Sequence, residues 1–324
     1  MRTFRGVDKR WRTAEGAFGR GSFGAVAYAA PAIQAAGRHR YVIKWARTTQ
    51  GSDDAPCTDA QLRFIRVMLK LEIDTLSKLQ HPHIVPLIDR SRPDDAIFYI
   101  MPRYKCSLHK LSCEYGSLPG LVRPALVQLY SALAYLHELN LAHCDVSSAN
   151  VLVRNTDYRR IIYVVLCDFG SAQRGLVDDS CASIKLAKKW ASARDISCAC
   201  RTAPQSAAPE CWEADDRMNP NVWCDVWAAA ASALAVTGIF IDVGQLASDD
   251  AARPECDRIK RARPWWSSTH AMHVPVFRLL RQYLPGRGGG ALALLLADRV
   301  FVGWRQRTPA GHIRLLLECL DEQN

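Results

Sequence analysis

Three side chains in the stretch Leu141 to Asn150 have the types and spacing to do chemistry together. His143, Asp145 and Asn150 bring an imidazole, a carboxylate and an amide into one loop, with four residues between the acid and the amide. A carboxylate so placed can take the proton of a hydroxyl, and the amide oxygen can ligate a hard cation such as Mg²⁺; the pair suits phosphoryl transfer. An ordinary turn whose Asp and Asn satisfy their own backbone has the same composition, so the flanking chain must decide. Leu126, Leu129, Leu133 and Leu136 recur at three- and four-residue steps and predict a helix leading in. Val151 to Val153 and Ile161 to Cys167 predict two strands leading out, followed by a further carboxylate in Asp168-Phe-Gly170.

A second group lies near the N-terminus. Gly19, Gly21 and Gly24, with Val26 following, form a G-x-G-x-x-G-x-V pattern, with Ser22 and Phe23 inside the turn. Val26 to Tyr28 continue as strand, and Pro31 and Gly37 argue against a helix directly after, so a β-hairpin is expected to present backbone N–H groups to phosphate. Tyr41 to Lys44 is a β-branched strand ending in a lysine. The next helix carries Ile65, Leu69, Ile73, Leu76 and Leu79, and Glu72 falls on that apolar side. A carboxylate there is costly unless paired, and Lys44 is its natural partner. Pro82 ends this helix at 80–83. Ile84 to Ile88 and Ile97 to Met101 predict two more strands, and Pro102-Arg-Tyr104 a linker.

Length and composition bound the rest. A chain of 324 residues fits one large domain or two lobes. Its 49% hydrophobic and 23% charged residues exclude general disorder, and its net charge of +10 favours an acidic partner: a nucleoside triphosphate, an acidic protein or a nucleic acid, among which charge alone does not choose. The 12 cysteines form no paired C-x-x-C sets, so a zinc framework is not expected and the thiols fit a reducing, intracellular setting. Val226 to Ile241 is uncharged but short and alanine-rich, which suits a buried helix rather than a membrane span.

Taken in order, these segments resemble the eukaryotic protein-kinase family from about Gly19 to Arg307. The resemblance rests on the glycine turn, Val42-Ile-Lys44, Glu72 ahead of His81-Pro, His143-Cys-Asp145 with Asn150, Asp168-Phe-Gly170, Ala208-Pro-Glu210, Asp225-Val-Trp227 and Arg307. It implies an α+β, two-lobed protein-kinase fold: a basic arm over 1–12, an N-lobe over 13–101, a hinge over 102–104 and a C-lobe over 105–324. The C-lobe would contain an activation segment over 168–210 and an insertion over 242–275. It also implies ATP and Mg²⁺ as cofactors. Lys44, oriented by Glu72, would hold the α/β-phosphates, Asp168 and Asn150 the metal, and Asp145 the hydroxyl proton. Gly19, Gly21, Ser22, Phe23, Gly24, Val26, Val42, Met101, Arg103, Tyr104 and Leu152 would surround the nucleotide. Leu76, Leu87, Phe169 and His143 would stack as a spine, Glu210 and Arg307 would pair, and Asp225 would receive backbone N–H groups of the catalytic loop.

Departures from the family pattern carry information. Cys144 stands where many kinases have the arginine that reads an activation-loop phosphate, so activity independent of that phosphate is expected. Ser147 stands where Ser/Thr kinases commonly have lysine, with Lys185, Lys188, Lys189 or Arg201 as possible substitutes. The segment Arg201 to Ser206 lacks the usual tyrosine, and its Thr202 is one place out of register. A catalytic loop without arginine or lysine, together with Pro102-Arg-Tyr104, is similar to the protein kinases of herpesviruses. That resemblance implies a Ser/Thr kinase acting on proteins in the host nucleus and cytoplasm. The alternatives are a nucleotide-binding pseudokinase, a small-molecule kinase, or nucleic-acid binding through Arg261 to Trp266, this last not favoured.

Overall fold

The computed structural model describes residues 2–14, 19–20, 24–33, 40–46, 48–50, 55–92, 95–157, 161–174, 208, 222–234, 237, 295–296, 300 and 308–320. The chain divides into two compact units. The first is Met1–Tyr104 with Asp168–Gly170; the second is Lys105–Cys167 with Ser171–Asn324.

The first unit is built on a seven-stranded antiparallel sheet. Its strands are β1 (Thr3–Arg5), β2 (Arg10–Thr13), β3 (Gly19–Arg20), β4 (Gly24–Pro31), β5 (Tyr41–Ala46), β8 (Asp89–Arg90) and β9 (Phe98–Pro102); a separate small hairpin pairs β6 (Thr49–Gln50) with β7 (Ala55–Pro56). The sheet order is β1-β2-β4-β5-β9-β8, with β3 paired to β4. Strand alternation sorts the side chains. Trp11, Ala27, Ala29, Ile43, Phe98 and Ile100 form one buried core, against which Phe4, Tyr41 and Trp45 pack.

The first dozen residues are therefore not a separate basic arm. Phe4 pairs across from Trp11, and Trp11 is fully buried. Burial of an indole on this scale holds β1 and β2 in the sheet. The end of β1 meets the end of β8 through a bridge between Gly6 and Ser91 and a Val7 N–H bond to the Arg90 carbonyl at 2.9 Å. The turn between β1 and β2 is fastened by the buried Asp89. Its carboxylate accepts the N–H groups of Val7, Asp8 and Lys9 at 3.1–3.3 Å and the Trp11 indole N–H at 2.6 Å. Gly6 is required there, because a Cβ would overlap the Asp89 carboxylate.

Helix α1 (Asp59–Leu76) begins with a reciprocal cap. Thr58 Oγ1 accepts the Gln61 N–H at 3.3 Å, and the Gln61 side chain accepts the Thr58 N–H at 2.8 Å. It buries Phe64, Ile65, Leu69, Glu72, Ile73 and Leu76. The helix stops at Leu76 rather than at 80–83. The N–H groups of Lys78 and Leu79 turn to carbonyls three residues back, so Leu79 extends the stripe from a turn. The strand expected over Ile84 to Ile88 is also displaced. Ile84 and Val85 are buried outside any strand, and β8 starts only at Asp89, past Pro86, which has no N–H to give a ladder; the Ile88 N–H leads into it by bonding the Ile100 carbonyl at 2.8 Å.

The second unit centres on α3 (Val122–Glu138), whose Leu126, Leu129, Leu133 and Leu136 are all fully buried. Before it come β10 (Cys106–Ser107) and α2 (Leu108–Tyr115); after it come β11 (Leu141–Ala142), β12 (Val151–Asp157), β13 (Ile161–Leu166) and β14 (Gln173–Arg174). The strands pair as β10-β12-β13 and β11-β14. Helix α4 (Val222–Leu234) is buried at every position from Cys224 onward, as its apolar run requires. Together with α5 (Ala310–Cys319) and β13 it packs on α3. Arg123 of α3 donates to the Leu317 carbonyl at 2.6 and 2.8 Å and so caps the end of α5. Among the described residues no helix is long and apolar enough to cross a membrane. Gly21, Ser22, Phe23, residues 175–207, Glu210, the 242–275 insertion with Trp265 and Trp266, Gly286 to Gly290, and Arg307 lie outside the described residues.

Candidate active site

Cross-strand register puts Val26 opposite Lys44, Lys44 opposite Tyr99, and Val42 opposite Met101. Those five side chains share the sheet face opposite the aromatic core. Lys44 and Glu72 are 4% and 0% exposed. The Lys44 ammonium lies 3.0 and 2.9 Å from the two Glu72 oxygens and 2.9 Å from Asp168 Oδ1. The Tyr99 hydroxyl donates to Glu72 Oε1 at 2.9 Å.

One buried ammonium thus faces two carboxylates. Burial works against the Lys44 charge, but Asp168 and Glu72 outweigh it and hold its pKa well above the usual lysine range. Burial pushes the Glu72 carboxyl up to about 7; Lys44 pulls it down, while Asp168 adds repulsion. Burial first, and the Asp168 charge after it, leave Glu72 ready to take a proton near neutral pH.

Gly24 has a specific task. A Cβ there would come within 2.8 Å of Lys44 Cγ and 3.1 Å of both Lys44 Cε and the Trp45 carbonyl, so only glycine lets the lysine stem cross β4. A Cβ on Gly19 would merely touch Val26 Cβ at 3.9 Å. Arg103 sends its N–H to the Arg40 carbonyl at 2.8 Å and lays its guanidinium 4.2 Å over the Tyr28 ring. With Pro102 lacking an N–H, neither of these two residues offers a backbone donor to a purine edge. Tyr104 ends the first unit, and Leu152 lies on β12 opposite Val165.

The second cluster is the loop after β11. Asp225, at the start of α4, accepts the N–H groups of His143 at 2.8 Å and Cys144 at 2.9 Å, and His137 Nε2 lies 3.2 Å from the same carboxylate. This anchoring supports a positive φ of 63° at Cys144, a backbone state costly for a non-glycine residue. Asp168 has the same left-handed backbone, at φ 65°. His143 is fully buried; its Nδ1 accepts the Asp145 N–H at 3.3 Å, so Nε2 carries the proton toward the Cys167 carbonyl at 3.1 Å.

Asn150 Nδ2 donates to Asp145 twice, to the carbonyl at 2.9 Å and to Oδ2 at 3.0 Å. The amide nitrogen is thereby spent orienting the carboxylate, and the amide oxygen is the atom left to meet a cation. The Asn150 amide oxygen in the second unit and the Asp168 carboxylate in the first are each a hard oxygen donor of the kind Mg²⁺ takes. Sequence reasoning missed Tyr99 and His137. The two-residue spacing of Tyr99 from Met101 was the available signal for the first.

A family model for the protein kinase domain matches residues 13–238. This chain belongs to the protein kinase family. Its kinase domain is similar to "Serine/threonine-protein kinase dkf-2" of Caenorhabditis briggsae, 36% identical over 110 residues, which are 33% of this chain and 9% of that protein. It is similar to the "Serine/threonine-protein kinase US3 homolog" of Gallid herpesvirus 2, 36% identical over 103 residues, 31% of this chain and 24% of that protein. It is also similar to human "Serine/threonine-protein kinase D2", 35% identical over 108 residues, 32% of this chain and 12% of that protein. The matched stretch spans a quarter or less of each of these relatives' own lengths.

Proposed function

We propose that the chain transfers the γ-phosphoryl of ATP to Ser or Thr hydroxyls of proteins, with Mg²⁺ as the metal. The observation that carries this reading is the buried Lys44 ammonium held within 3.0 Å of both Glu72 and Asp168 in a kinase domain. Lys44 pairs with the α/β-phosphates. Asp145, its carboxylate fixed by Asn150, accepts the proton of the attacking hydroxyl and aligns it. Asp168 and Asn150 are the residues that would hold Mg²⁺, which would supply neutralising charge to the phosphoryl group. Val26, Val42 and Met101, on one face of the first unit's sheet, contact adenine. Fixed position and preorganised charge supply most of the acceleration, because little covalent chemistry falls to the protein.

The sequence of the catalytic loop refines the proposal. Cys144 is buried, and a thiol has no guanidinium fork with which to pair a phosphate, so nothing at this position reads one. Activity therefore does not depend on phosphorylation of the activation segment. Alanine at every Ser and Thr from Ser171 to Thr202 leaves turnover within a few-fold of the native chain; near-complete loss contradicts this. A herpesviral setting, with action on proteins in the host nucleus and cytoplasm, is supported by Pro102-Arg-Tyr104 and by the similarity to the Gallid herpesvirus 2 kinase. The test of the main reading is labelled ATP with a degenerate peptide library. Label on Ser or Thr with the native chain and none with Asp145→Asn is expected. Equal labelling by both, or none by the native chain, overturns it.

A further inference from the structure

The Glu72 carboxylate is wholly buried, and among the described residues its polar partners are two: the Lys44 ammonium and the Tyr99 hydroxyl. An ammonium has three protons. Lys44 directs them to Glu72 Oε1, Glu72 Oε2 and Asp168 Oδ1, so a phosphate oxygen is a fourth acceptor for three donors. One of the three contacts must be given up when nucleotide binds. Releasing Glu72 Oε1 is the inexpensive choice only if that oxygen keeps another donor, since a bare buried carboxylate oxygen costs its full desolvation.

Tyr99 is built to be that donor. It sits directly across the ladder from Lys44, it is 1% exposed, and the Lys44 nitrogen lies 5.9 Å from its ring centroid. Its backbone is fixed from the other side, where β8 pairs Arg90 with Tyr99, next to the buried Asp89 that fastens the β1-β2 turn. We infer that Tyr99 is a positioning residue for the transfer reaction: its hydroxyl holds the Glu72 carboxylate in place so that Lys44 can turn a proton to the nucleotide phosphates. The inference rests on the ATP-dependent reading above and assigns that site a member beyond the lysine, glutamate and aspartate.

The test is Tyr99→Phe in the full chain, which keeps the ring and removes only the hydroxyl. Mg-ATP affinity is read by fluorescence titration and transfer by labelled ATP, both across pH 5.5–9, a range chosen on the order of the Glu72 value. A hydrogen bond to a charged group predicts that Tyr99→Phe weakens Mg-ATP binding, and kcat/KM for ATP, by about tenfold at neutral pH. The acid limb of both profiles should move to higher pH, since the hydroxyl helps keep Glu72 ionised. Adding Tyr99→Phe to Glu72→Gln should cost little more than Glu72→Gln alone. A merely structural role would lower thermal stability without moving the acid limb. Native affinity with an unmoved limb, or full additivity with Glu72→Gln, overturns the inference. Mg-ATP binding without transfer by the native chain would remove the proposed reaction, and the affinity profiles would still decide the role of Tyr99. If Tyr99→Phe does not fold, Tyr99→His supplies a second donor-bearing ring; loss of ATP affinity with no pH shift in that variant also overturns it.

Discussion

Two buried carboxylates, Glu72 in the first unit and Asp225 in the second, solve the same problem in opposite ways. Glu72 is satisfied by a charge: Lys44 contacts both its oxygens, and among the described residues only the Tyr99 hydroxyl is added. Asp225 is satisfied by backbone: the N–H groups of His143 and Cys144 reach its two oxygens, with His137 beside one of them. Asp89 belongs with the second type, receiving a turn's N–H groups and an indole. A carboxylate held by peptide dipoles fixes a loop, because its partners cannot be released without unfolding that loop. A carboxylate held by a movable ammonium can exchange partners, which is what a phosphate-binding lysine needs. The first arrangement is accordingly sensitive to protons and ligands, the second to backbone geometry.

Breaking the charge-held pair has the largest expected effect on stability. Lys44→Met should abolish measurable transfer and cost about 3–5 kcal/mol, the usual loss when one partner of a buried pair is removed. With Lys44 gone, its downward pull on Glu72 is lost and that carboxyl rises above about 7. Chemical denaturation should therefore show the smallest penalty in acid and a growing one as pH rises past neutrality. A pH-independent penalty would mean that Glu72 is not the group left exposed.

Asp225→Asn comes next. It puts an amide N–H₂ where one of two backbone N–H groups needs an acceptor, and should cost about 1–3 kcal/mol. The loss should show in the melting temperature and as faster amide exchange at His143 and Cys144, whose N–H groups the carboxylate receives, while Lys44→Met should leave that exchange unchanged. Native exchange at both amides would erase the contrast.

The smallest effect is a slope. The unfolded chain releases the Glu72 proton near the ordinary value of 4.5, while the folded chain holds it to about 7. The stability contributed by protonated Glu72 is complete below 4.5 and is lost as pH rises to about 7. Glu72→Gln should remove that decline from the stability profile. Lys44, raised above its ordinary 10.5, adds no slope until strongly alkaline pH. An unchanged decline in Glu72→Gln would assign it to another group.

Much of this contrast was legible in the letters. A glutamate on the buried side of a helical stripe demands a partner, and Lys44 at the end of a β-branched strand was within reach of it. The spacing from Asp145 to Asn150 drew attention to one loop, but not to the bonds the Asn150 amide makes back to Asp145. The N-terminal segment was misread, because Arg2, Arg5, Lys9, Arg10 and Arg12 dominate its composition. What places it in the sheet is a tertiary pairing, Phe4 across from Trp11 with Asp89 some eighty positions away closing the turn. Tyr99 was passed over for the same reason. Its neighbours in sequence are ordinary strand residues, and only cross-strand register sets it against Lys44.

The most direct test of the account is single-turnover transfer from labelled ATP, with Mg-ATP affinity measured on the same samples, for Lys44→Met and Asp145→Asn. The predicted result is that Asp145→Asn binds Mg-ATP like the native chain yet transfers about 10²–10⁴-fold more slowly, while Lys44→Met loses binding and transfer together. Native-like transfer by Asp145→Asn, or native-like binding by Lys44→Met, would contradict it.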